Sequence, residues 1–66
     1  MLSAMDKVNQ IISRDIEIEF IKCTNNDEKW KVCGKWSMWV IRRLLLNPEG
    51  YKDVIKTINK LMDSIK

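Results

Sequence analysis

Apolar positions change their period as the chain is read from its start. Met5, Val8, Ile11 and Ile12 recur at helical spacing and predict a first helix up to about Arg14. Ser3 is placed to cap it, with Asp6 at the third helical position, where a carboxylate complements the positive helix end. From Asp15 to Phe20 polar and apolar residues alternate, and the segment Asp15 to Cys23 reads as a half-buried strand. Thr24-Asn25-Asn26-Asp27 carries turn chemistry, because asparagine and aspartate tolerate the left-handed region. A second strand, Glu28 to Cys33, then closes a hairpin. With a three-residue loop, Lys22 pairs with Trp30 and Phe20 with Val32, which collects Ile16, Ile18, Phe20, Trp30 and Val32 on one face. Asn25 followed by Glu28 is also a helix-capping pattern, so a helical reading of the region stays open.

Gly34 interrupts the pattern, and a helix is predicted from about Lys35 to Leu46. It is apolar nearly all round, as the central element of a small core would be. Asn47-Pro48-Glu49 ends it and starts the next, with Asn as cap and Pro at the first helical position. The last helix sets Tyr51, Val54, Ile55, Ile58, Leu61, Met62 and Ile65 on one stripe. The expected fold is therefore a small α+β domain: an N-terminal helix, a β-hairpin and two packed helices. The alternative is an all-α core resembling a helix-turn-helix.

Length sharpens this picture. Sixty-six residues make one domain, residues 1–66, with a marginal core. Trp30, Trp36, Trp39 and the aliphatics exceed what so small a core hides, which predicts a homodimer. Cys23 and Cys33 are too few for a disulfide scaffold, and their spacing fits no zinc motif in a chain without histidine. No metal or other cofactor is expected. The first residues lack the basic and apolar regions of a signal peptide, and the apolar run Met38 to Ile41 is too short to span a bilayer. A soluble, cytoplasmic protein with reduced thiols is the expectation.

Charge divides unevenly. Residues 1–28 hold three bases against six acids, a balance of −3, and residues 29–66 hold nine bases against three acids, a balance of +6. A basic half suits nucleic acid or an acidic protein surface. Two surfaces stand out. Lys35, Trp39, Arg42 and Leu46 share a face of the central helix with Arg43 alongside, and Trp beside Arg is the composition of binding hot spots. Lys52, Lys56 and Lys60, with Lys66 beyond, form a row able to neutralise phosphates. The plainer readings are a Trp39 packed in the core with snorkelling arginines, and a solvated lysine face.

Catalytic chemistry is sparse. There is no histidine to act as a base near neutral pH and no glycine-rich phosphate loop. Glu17 and Glu19 would share one side of the proposed strand, and Cys33 would precede a helix start beside Lys35. The first reads better as a solvated face and the second as a structural thiol. The chain is expected not to be an enzyme.

The 36-residue stretch from Cys23 to Ile58 resembles the front half of HxlR-type winged-helix transcriptional regulators. Cys23 and Trp36 have the family's spacing, and Gly34-Lys35-Trp36-Ser37 fits its GKW-S/T segment. Asn47-Pro48 stands where the family has Gly-Pro, and Tyr51 where it has Phe. The resemblance implies DNA binding and a helix over residues 28–33, against the strand read above. It brings neither a wing nor a clear recognition helix, because residues 48–65 read as one unbroken helix. Two functions follow: a small dimeric DNA-binding regulator acting through basic helices, and a non-enzymatic protein-binding module or inhibitor using an exposed Trp/Arg/Leu face.

Overall fold

The computed structural model of the chain describes residues 3–66. Among them are three helices and no strand: α1 (Ala4–Lys22), α2 (Asn26–Leu44) and α3 (Lys52–Ser64). The fold is all-α, and the expected α+β class with a hairpin over residues 15–33 is overturned.

The reason lies in which apolar residues share a face. Ile12, Ile16 and Phe20 are four residues apart, so one side of a helix collects them as readily as one side of a strand. Only Ile18 separates the two readings, and it is exposed while Ile16 and Phe20 are buried. α1 therefore continues past Arg14 to Lys22. It starts with a capping box: the Ser3 hydroxyl accepts from the Asp6 N–H at 3.1 Å, and the Asp6 carboxylate accepts from the Ser3 N–H at 3.3 Å.

The second half of the hairpin fails through the alternative cap. The Asn25 side-chain oxygen accepts from the Glu28 N–H at 2.9 Å, and the Glu28 carboxylate accepts from the Thr24 N–H at 2.9 Å. The first bond satisfies an orphan donor at the helix start, the second ties down the residue before the cap, and residues 28–33 are helical. Gly34 does not interrupt α2. It sits exposed in mid-helix, where an added Cβ would meet nothing within 4 Å. The expected start near Lys35 is thus nine residues late.

The expected junction at Asn47-Pro48 is also corrected. Residues 45–51 form turns, and α3 opens at Lys52 after Tyr51, which makes no side-chain capping bond. Asn9, buried in α1, anchors this turn: its side-chain amide donates to the Met5 carbonyl at 3.0 Å and to the Gly50 carbonyl.

α3 lies against both other helices, and the contact between α1 and α2 is the smallest of the three. Within the helix the stripe is as expected, with Val54 and Ile58 buried and Ile55, Leu61 and Met62 half-buried, whereas Tyr51 and Ile65, also half-buried, flank a helix shorter than the expected 48–65. Val54 and Ile58 make the core with Ile16 and Val40, and Ile12, Trp36, Trp39, Leu44, Tyr51, Ile55, Leu61 and Met62 pack against it. The result is a slab of 36 × 25 × 15 Å. No helix among the described residues is long and apolar enough to cross a membrane.

Candidate functional site

The expected site residues separate into three groups. Trp39 and Arg43 belong to the α2–α3 packing. The Trp39 ring stands edge-on to Trp36, with centroids 5.4 Å apart, and to Tyr51 at 5.6 Å. Arg43 lies over the Trp39 ring, its guanidinium carbon 3.8 Å from the centroid. Trp39 is half-buried in this aromatic row, and Leu46 lies beyond the end of α2 in the exposed turn. Lys35, Trp39, Arg42 and Leu46 therefore do not form one continuous patch.

Two lysines are ion-paired. Lys35 Nζ lies 2.8 Å and 3.0 Å from the Glu19 carboxylate oxygens, and Trp36 Nε1 donates to the same carboxylate at 2.8 Å. These bonds, Lys35's the larger influence and Trp36's the next, hold the Glu19 carboxyl below the usual glutamate range. Glu19 thus fastens α1 to α2. Lys52 pairs with Glu49, which raises the lysine pKa. Arg42, Lys56 and Lys60 are exposed and make no salt bridge among the described residues.

The lysine row of α3 is not purely basic. At about 100° per residue, Asp63 falls between Lys52 and Lys56, and Asp53 falls just beyond Lys60. Two carboxylates thus interleave with three ammonium groups on the outer face, one of which Glu49 already neutralises.

The catalytic candidates come apart. Glu17 and Glu19, two residues apart on a helix, point in nearly opposite directions. Cys33 lies inside α2 and is buried; desolvation first, and Cys23 second, push its thiol pKa up. Among the described residues no group of three potential metal ligands occurs.

What sequence reasoning missed is a second apolar face on α2, continued by its C-cap Leu45. Trp30 is 50% exposed, Met38 59%, Ile41 54% and Leu45 82%, with exposed Gly34 between the first two. Their spacing of four, four, three and four keeps them within about 80° of arc, turned away from buried Cys33 and Val40. Ile41 continues this face into a groove of about 220 Å³ between α2 and α3, lined also by Ser37, Val40, Leu44, Ile55, Ile58 and Asn59. The spacing was legible, but a strand ending at Cys33 splits it. No family model, curated protein or solved structure matches the chain, so the local resemblance to winged-helix regulators rests on its own residues.

Proposed function

We propose that this chain is a non-enzymatic protein-binding module whose working surface is the outer face of α2 and the adjoining α2/α3 groove. The supporting observation is a contiguous apolar strip, Trp30, Gly34, Met38, Ile41 and Leu45, that leads into an apolar groove. Single exposed apolar residues are ordinary, whereas contiguous ones rimmed by polar groups mark interaction sites. Lys31, Lys35 and Arg42 border the strip, giving it a polar rim. A helix presenting apolar residues at three- and four-residue spacing fits such a groove.

A second reading, a small DNA-binding regulator, is favoured by Arg42, Lys56 and Lys60, which are exposed and without salt bridges among the described residues. It is weakened by Asp53 and Asp63 within the lysine face and by the acids of residues 1–28.

One paired experiment separates the two. Met38→Ser with Ile41→Ser is expected to abolish protein association, and Lys56→Gln with Lys60→Gln to leave it unchanged. On duplex DNA at low salt no shift is expected. A shift whose log affinity falls with log salt, with a slope flattened by roughly two units in the lysine variant, would replace the protein reading with the DNA one.

A further inference from the structure

We infer that the occupant of the α2 face is a second copy of this chain, bound through α2 running antiparallel to its counterpart about a two-fold axis between Ser37 and Met38. The inference rests on the binding-module reading and names its partner.

Surface area points to a missing neighbour. A folded monomer of 7.8 kDa is expected to expose about 4,400 Å². This chain exposes 4964 Å². Its radius of gyration is 12.0 Å, against about 10.8 Å for a compact chain of this length. The surplus of roughly 600 Å² approaches the ~800 Å² per partner of a standard interface. Among the described residues nine large apolar side chains are exposed against five buried beside Cys33, so the apolar content outruns one core.

The face is also self-complementary. In an antiparallel pair with that axis, Trp30 stands opposite Leu45 of the second copy, and Gly34 opposite Ile41. Gly34 is then the notch that receives Ile41, and its open surroundings leave room for it. Charge selects the direction. α2 carries Asp27 and Glu28 in its first turn and Arg42 and Arg43 in its last. Parallel pairing would set acid beside acid and base beside base; antiparallel pairing turns the acidic end of each α2 towards the basic end of the other, where Arg42 is exposed and Arg43 lies inward over Trp39, and opposes the helix dipoles. The exposed isoleucines of α1 compete poorly, because Lys7, Arg14 and Asp15 interrupt them.

The test uses the full chain. Light scattering across micromolar to millimolar concentration should give twice 7.8 kDa at the upper end. Ile41→Glu, whose helicity far-UV circular dichroism would verify, should give 7.8 kDa throughout. Met38→Cys, beside the axis, should form an intermolecular disulfide under mild oxidant, and Lys60→Cys should not. A dimer that Lys60→Cys captures and Met38→Cys does not would overturn the antiparallel α2 pairing.

A monomer at every concentration would overturn self-association, and an apolar dye then decides the parent reading. Dye binding that Ile41→Glu removes would leave the face free for a different protein. A monomer that binds no dye would end both proposals.

Discussion

α3 and α2 carry similar apolar content and spend it differently. α3 gathers its apolar residues on one stripe, every member of which is buried or half-buried, and its opposite face is charged. α2 has Cys33 and Val40 turned inward, then a second apolar strip from Trp30 to Leu45 turned outward. A helix with one apolar stripe is explained by the core it faces. A helix with two has one face that its own chain does not explain. The contrast thus divides α3, the structural centre, from α2, the helix with surface to offer.

Identical truncations on the two helices test this division most strongly. Ile58→Ala on α3 should destabilise the fold by ~2–4 kcal/mol, measured by urea unfolding at low protein concentration, because Ile58 is 3% exposed. Ile41→Ala on α2 should shift the same measurement by no more than ~0.5 kcal/mol, because the residue is half exposed. Equal costs would break the comparison.

A smaller effect concerns the caps. Asn25→Ala should cost ~1 kcal/mol, since the Glu28 N–H loses its acceptor at the start of α2. α3, which begins at Tyr51 without a side-chain cap, offers no equivalent site.

Gly34→Ala should stabilise the monomer by about 0.5–1 kcal/mol, as a mid-helix glycine in open space gains from a Cβ. The same change should weaken association, because the notch is filled. Opposite signs for folding and association would sharpen the assignment of the outer face.

The least effect is expected from acid. The Glu19 pKa is lowered in the folded state by Lys35 and Trp36, so this stabilisation is present above the ordinary glutamate range and lost as pH falls through the folded value. Glu19→Gln should flatten that part of the pH–stability curve. With the ion pair largely exposed, the difference should be small.

Much of α3 and both caps were legible because their signals are local. A stripe at i, i+3, i+4 and i+7 and a side chain three residues from an N–H are properties of neighbouring residues. Residues 15–33 were ambiguous for a physical reason: Ile16 and Phe20 satisfy both periods, and the cost of Gly34 inside a helix is small enough for packing to override. The Glu19–Lys35–Trp36 bonds join residues sixteen and seventeen apart, and nothing local announces them. Trp39 was singled out on composition, but composition is the same for a hot spot and for an aromatic row packed between helices.

The two long-range amide contacts fix where the described residues begin and end. Asn9 holds the beginning of α1 beside Gly50, and the Asn26 amide reaches the Lys66 carbonyl, so the described ends lie at opposite poles of the 36 Å slab. Joining them within one copy would take a flexible linker of about forty residues for its average reach to match that span. In an antiparallel pair the geometry reverses: the last residue of one copy lies at the same pole as the first described residue of the other. Two copies fused head to tail through a short glycine-serine linker would then fold as a single-chain pair, and a circularly permuted monomer of equal linker length would not close.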